Sequence, residues 1–338
     1  MSTMSSTALE HVIGAEGLVA LHVRGGSVRL RGTDGDAVRV SDADGSDLED
    51  AFDLERGEGS FSMRHHKGLH VRLGRPGSEG SVRLEVELPR RATLVVESAG
   101  ADLSADELAG SQRYRTVAGD VQLTRAGGRI AVEAVSGDVS VSAAARIRLA
   151  VRTVSGDVGV RAARIDEAVL ATTSGDIALA GELAPDGQHR TETVSGDTLL
   201  ALAGGARVEV STVTGDVTAD VPHRSEGGRG RKVLIIGNGR ATLTAHSMSG
   251  DVTVVATRPD DVGAADRAHP EQAEPHPRPA EPERSGVDPS AAAISAAYDE
   301  ARLRVLQGLE RGEYDVAEAT RRLEALDTAD AAGGPGHD

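Results

Sequence analysis

Val135-Ser136-Gly137-Asp138-Val139 returns as Val154-Ser155-Gly156-Asp157-Val158, then as Thr173-Ser174-Gly175-Asp176-Ile177 and Val194-Ser195-Gly196-Asp197-Thr198. Val213-Thr214-Gly215-Asp216-Val217 and Met248-Ser249-Gly250-Asp251-Val252 complete the set, and Ala118-Gly119-Asp120 is an earlier, weaker copy. From Asp120 onward the aspartates are spaced 18, 19, 19, 21 and 19 residues apart, then 35 where an insertion intervenes. Periods of this size mark stacked repeats, in which each unit buries its apolar edge against its neighbours.

Aligning the copies exposes their internal pattern. Two residues before the Ser stand Ala134, Thr153, Thr172, Thr193, Thr212 and Ser247, and four before it Val132, Val151, Leu170, Thr191, Val210 and Ala245. The position between them, expected to face outward, holds Glu133, Arg152, Ala171, Glu192, Ser211 and His246. After the turn come Val139, Val158, Ile177, Thr198, Val217 and Val252, then Val141, Val160, Leu179, Leu200, Ala219 and Val254 two residues on. Period-two alternation on both sides of a Gly-containing turn predicts strand, turn, strand.

The expected fold class is all-β: a single β-solenoid of rungs about 19 residues long, with a small C-terminal α-helical hairpin after a disordered linker. Nineteen residues are too few for a four-stranded propeller blade, and a β-sandwich would not require so regular a turn. About eight rungs at roughly 4.8 Å give a rod on the order of 40 Å long. Two Phe, three Tyr and no Trp suggest a thin core with no room for large rings.

Domain boundaries follow from composition. Residues 1–14 read as a disordered N-terminus and 15–257 as the β-solenoid, with regular rungs over 92–257. Strand-like pieces at Leu18–Val23, Ser27–Leu30, Ala37–Val40, Leu69–Leu73 and Ser81–Leu88 lack the turn motif and suggest irregular first rungs and capping strands. Residues 258–289 carry seven prolines among charges and read as an extended acidic linker. Residues 290–327 change period: Ile294, Tyr298, Ala301, Val305 and Leu309, then Val316, Ala319, Leu323 and Leu326, are spaced as two amphipathic helices. Gly312 suits the end of the first helix, and Asp315 with Glu318 resembles a capping box for the second. So small a hairpin needs a partner surface to be stable. Residues 328–338 read as a disordered tail.

The formal net charge of −16 argues against nucleic acid, whose phosphates require a basic footprint. Residues 258–289 hold four Arg against eight acids, and 290–338 hold five against ten, so the excess is concentrated at the end of the chain. There is no cysteine, hence no disulfide and no thiolate metal site. The opening MSTMSSTALEHVI lacks the basic start and apolar core of a signal peptide, and no apolar run reaches membrane-span length. The expected location is the cytoplasm.

The run Val82-Arg83-Leu84-Glu85-Val86-Glu87-Leu88-Pro89, the segment Leu94-Val95-Val96-Glu97-Ser98, the serial S-G-D-V turns and the closing Val233-Leu234-Ile235-Ile236-Gly237-Asn238-Gly239 together resemble a bacterial β-strand-repeat family often labelled "putative adhesin", a domain of unknown function. The resemblance spans roughly residues 15–257. The terminal segment, with Gly308-Leu309-Glu310-Arg311-Gly312-Glu313-Tyr314, looks like a short helical domain attached to some relatives, which implies oligomerisation or protein contacts. That family carries no established enzymatic residues, so the resemblance transfers none.

Three candidate sites compete with plainer roles. The turn residues Gly119, Asp120, Gly137, Asp138, Gly156, Asp157, Gly175, Asp176, Gly196, Asp197, Gly215, Asp216, Gly250 and Asp251 are expected to be structural, each Asp capping its own turn. Stacked carboxylates binding calcium are the alternative. Gly237-Asn238-Gly239 imitates a dinucleotide-binding loop, but Thr242 stands where a third glycine belongs and a strand follows, so a hairpin turn is expected. His65, His66 and His70 gather near Lys67 without familiar ligand spacing and are expected to be a solvated loop. No catalytic pair, cofactor site or metal site is expected, and the chain is not expected to be an enzyme.

A non-enzymatic scaffold or regulatory protein is the favoured function class, using a rigid solenoid and a tethered hairpin for protein–protein interaction or self-association. Ile294, Tyr298, Val305, Leu309, Val316, Leu323 and Leu326 are the candidate interaction residues. Alternatives are adhesin-like binding of a cell-envelope ligand, with indirect envelope association, and a polymer-forming β-solenoid cytoskeletal element.

Overall fold

The computed structural model describes residues 8–43, 45, 48–66, 82–228 and 231–257. The first end is built from β1 (Leu9–Val12), β2 (Leu18–Thr33), β3 (Ala37–Asp42), a short helix α1 (Leu48–Ala51), β4 (Phe52–Gly57), β5 (Ser60–His65) and β6 (Val82–Pro89). The middle holds β7 (Thr93–Asp106), β8 (Ser111–Thr116), β9 (Val121–Thr124), β10 (Gly128–Ala134), β11 (Val139–Arg152), β12 (Val158–Ser174), β13 (Ile177–Leu183), β14 (His189–Ser195) and β15 (Thr198–Ala203). The last end holds β16 (Ala206–Thr214), β17 (Val217–Asp220), β18 (His223–Gly228), β19 (Arg231–Ile236), β20 (Ala241–Ser249) and β21 (Val252–Ala256). The described residues are nearly all β.

Two parallel ladders run the length of the stack, one on each side of the Ser-Gly-Asp turn. Before the turn, β2, β7, β8, β10, β11, β12, β14, β20 and β16 pair in that order. After it, β2, β7, β9, β11, β12, β13, β15, β21 and β17 do the same. Register is repeat on repeat: Val139 opposes Val158, and Val158 opposes Ile177. Like stacks on like, so the inward positions form continuous buried columns, mostly aliphatic but carrying Thr153, Thr172, Thr193, Thr212 and Ser247 two residues before the turn. Val132, Val151, Leu170, Val208, Leu243, Val252 and Val254 are all buried.

Spatial order departs from chain order at the last end. The coil of β20 and β21 sits between that of β14 and β15 and that of β16 and β17, so residues 206–220 close the stack although 241–256 follow them in the chain. The 35-residue spacing accommodates the strand pair β18–β19, whose β19 lies antiparallel on the outer edge of β16. The first end is built alike. β2 lies directly on β7, its outer edge carries β5 and β6 in parallel, and antiparallel β4 and β3 cover those in turn. Antiparallel strands end a parallel ladder and reduce the open edge that would otherwise invite another chain.

Several expectations change. The pieces Leu18–Val23 and Ser27–Leu30 are one strand, β2, and Leu9–Val12, expected within a disordered N-terminus, pairs with β3 as β1. Large rings do enter the core: Phe52 and Phe61 are buried in the first end, and Tyr114 is 0% exposed. A buried Tyr requires a partner for its hydroxyl. Here it donates to Gln112 Oε1 at 2.9 Å, while Gln112 Nε2 donates to the Leu108 and Gly127 carbonyls. The Asn-Gly turn joins β19 to β20, but these strands are not hairpin partners, because β16 lies between them. The piece Leu69–Leu73, the linker 258–289, the helical segment 290–327 and the tail 328–338 lie outside the described residues.

Candidate functional site

The stacked turns form one continuous edge. Gly119, Gly137, Gly156, Gly175, Gly196, Gly250 and Gly215 all have φ between +107° and +148°, a region that favours glycine. Space excludes any other residue as well. A Cβ on Gly175 would come closer than 3.0 Å to the Gly156 carbonyl, and the same holds from coil to coil along the column.

Each aspartate carboxylate, except that of Asp216 on the last coil, serves a neighbouring coil rather than its own turn. Asp138 N–H donates to Asp120 Oδ1 at 2.9 Å, Asp157 to Asp138 at 2.8 Å, Asp176 to Asp157 at 2.8 Å and Asp197 to Asp176 at 2.7 Å. Asp251 donates to Asp197 and Asp216 to Asp251, both at 2.8 Å, while Asp102, which lacks the motif, accepts from Asp120 at 3.1 Å. The expectation of own-turn capping is corrected because coils lie close enough for the carboxylate to reach the next N–H. Neighbouring carboxylates about 5 Å apart repel by roughly 0.8 kcal/mol per pair in water, less than a charge-assisted hydrogen bond contributes. One oxygen of each stacked carboxylate is thereby committed to the backbone. The remaining groups complete the lattice: Gly156 N–H donates to the Ser174 carbonyl and Val158 N–H to the Asp176 carbonyl, each repeated in neighbouring coils.

A row the sequence analysis did not single out lies just before the Ser. In stacking order its last members are Val194, Met248 and Val213, which are 44%, 57% and 80% exposed. At the same repeat position Val117 and Val135 are buried. The signal was present as a Val/Met column, but exposure at that position depends on the neighbouring coils. On the pre-turn ladder, His22 Nδ1 lies 3.0 Å from Glu97, and Arg115 bridges Glu97 and Glu133 as ion pairs at 3.7 and 3.0 Å.

The histidines do not converge. His66 Nδ1 pairs with Asp53 at 3.0 Å, His65 packs edge-on against Phe52, and His70 lies outside the described residues. Burial, aided by Arg24 and His66, lowers the His65 pKa. His189, also missed in the sequence, is buried with Nε2 2.9 Å from the Ala184 carbonyl and no partner for Nδ1 among the described residues. Burial holds its pKa down, opposed by the Ala184 bond and by Glu167 and Asp166. Gly237-Asn238-Gly239 opens onto β20 rather than a helix, and Asn238 Oδ1 accepts the Arg240 N–H within the turn. The candidate interaction residues from Ile294 to Leu326 lie outside the described residues. No helix among the described residues is long and apolar enough to cross a membrane.

The family model described as Toastrack DUF4097 matches residues 19–255. The chain belongs to this family. No curated protein matches it. Among solved structures it is similar to a "putative adhesin" from Bacteroides fragilis at 11% identity and TM-score 0.38, covering 74% of this chain and 96% of that one. It is also similar to a "putative adhesin" from Parabacteroides distasonis at 12% identity and TM-score 0.31, with 74% and 96% covered. A "putative lipid binding protein" from the same organism matches at 8% identity and TM-score 0.29, again with 74% and 96% covered.

Proposed function

We propose that this Toastrack-family chain is a non-enzymatic scaffold or regulatory protein: a β-solenoid whose turn edge binds a protein partner in the cytoplasm. The segment from Ile294 to Leu326 adds a second contact element. The observation that carries this reading is the row Val194, Met248 and Val213, exposed at the coil pitch on a turn edge held by glycine and aspartate. Isolated exposed apolar residues are ordinary, whereas an aligned row on a rigid frame supports reading this edge as a contact surface.

Crosslinking pull-downs from native cells test it, comparing the full chain, a version ending at Thr257, and the full chain with Val213→Ser and Met248→Ser. The expected result is one partner captured by the first two and lost from the third. Capture only by the full chain would move the function to the C-terminal segment. Equal capture by the serine variant would remove the turn edge.

A further inference from the structure

The stack ends in a step. β19 covers the outer edge of Ala206–Ser211, but among the described residues no strand lies over Thr212–Asp220, where β17 pairs only with β21. In the coils beneath, three groups reach forward at each turn. Gly196 N–H donates to the Ser249 carbonyl, Thr198 N–H to the Asp251 carbonyl, and the Asp197 carboxylate accepts the Asp251 N–H. The next coil repeats this with Gly250, Val252 and Asp251 toward Thr214 and Asp216. On the terminal coil the equivalents are the Gly215 N–H, the Val217 N–H and the Asp216 carboxylate, and among the described residues none meets such a partner. Because backbone groups alternate sides along a strand, Val217 and Ala219 turn both N–H and C=O toward this step. Lys232 Nζ already donates to the Val217 carbonyl at 3.2 Å, as a charge guarding an open edge does. The core is uncovered there too: Val217 and Ala219 are only partly buried, whereas Val252 and Val254 one coil below are 0% exposed.

We propose that this step is a binding site for an extended peptide strand, donated by another polypeptide, that adds one further Ser/Thr-Gly-Asp turn in parallel register. The unmet groups define the occupant. It must present a carbonyl to Gly215, a second carbonyl to Val217 and an N–H to Asp216, with no Cβ where the column is glycine. Alternate small apolar side chains would cover Val217 and Ala219. This is strand addition to a sheet edge, in which backbone bonds supply affinity and the alternate side chains selectivity. A second folded copy does not fit. Its interior turns are stacked on both sides, its first end is covered by β5 and β6, and two terminal turns face to face would set carboxylate against carboxylate and N–H against N–H.

The inference rests on and deepens the partner-binding reading by naming a further contact and its chemistry. The test is fluorescence anisotropy of a labelled peptide with the sequence of residues 132–141, Val-Glu-Ala-Val-Ser-Gly-Asp-Val-Ser-Val, titrated with the full chain. Saturable binding is expected, weakened about tenfold or more when the peptide's glycine becomes alanine. Val217→Pro in the protein, which removes one N–H, should weaken it similarly, and Lys232→Ala should tighten it. No saturation, or equal binding of the glycine and alanine peptides, overturns the proposal, as does a dimer that Val217→Pro dissociates. The peptide substitution leaves the protein untouched, so it decides the question even where Val217→Pro disturbs the end coil. If the peptide fails while pull-down capture persists, the step falls and the turn-edge reading stands.

Discussion

Replacing Gly175 by Ala should be among the most damaging single-methyl changes in this chain. Two costs coincide. The residue sits at φ +148°, which an L side chain rarely adopts, at a strain of about 1–3 kcal/mol. Its Cβ would also press on the Gly156 carbonyl, which is backbone and cannot rotate away. Relief requires separating two coils held by the 2.8 Å bond from Asp176 N–H to Asp157 and the 3.0 Å bond from Gly156 N–H to the Ser174 carbonyl. Weakening one charge-assisted bond adds about 1.5–3 kcal/mol. The total, roughly 2.5–6 kcal/mol, is a large part of a domain's usual 5–15 kcal/mol. For a domain of this size that corresponds to a Tm lower by roughly 5–24 °C. Circular dichroism melts of the full chain and of Gly175→Ala measure it, with Gly159→Ala as control. Gly159 lies outside the turn and faces nothing closer than 4.0 Å. A Tm loss for Gly175→Ala no greater than for Gly159→Ala would refute the reasoning.

Asp176→Ala, which strips the acceptor from the Asp197 N–H, should cost about 1–3 kcal/mol, while Asp176→Asn keeps an oxygen there and relieves repulsion, so its urea midpoint should match the parent. Tyr114→Phe should cost about 1–3 kcal/mol by leaving Gln112 Oε1 buried without its donor, read from the same urea titrations. Burial lowers the folded His189 pKa below the ordinary 6.5 of the unfolded chain. Stability should therefore be level above about pH 6.5 and fall as pH drops from there toward the folded value, because the unfolded chain takes up the proton first. His65 contributes with the same sign, so His189→Gln should reduce this slope without abolishing it. Val213→Ser, at a side chain 80% exposed, should leave stability within about 0.5 kcal/mol while lowering partner capture.

The local structure of each repeat was legible in the sequence for physical reasons. A positive φ beside a close backbone approach admits only glycine, so the Gly column marks the turn. Period-two alternation assigns each side chain to a face, and the inward residues from Val132 to Val254 lie buried as the alternation requires, except Val217 and Ala219 on the last coil. What only the tertiary structure decided involves choices between chemically equal partners. An aspartate beside a turn can cap its own N–H or the one in the next coil, and coil spacing selects the latter. Coils that share one motif can stack in any order. The intervening β18–β19 pair therefore sends residues 241–256 back beneath 206–220 with every ladder bond kept. The same degeneracy hides the candidate surface, since valines at one repeat position are buried at 117 and 135 but exposed at 194 and 213. A repeated sequence specifies how one coil meets the next, and its assembly decides which coil that is and where the stack is left open.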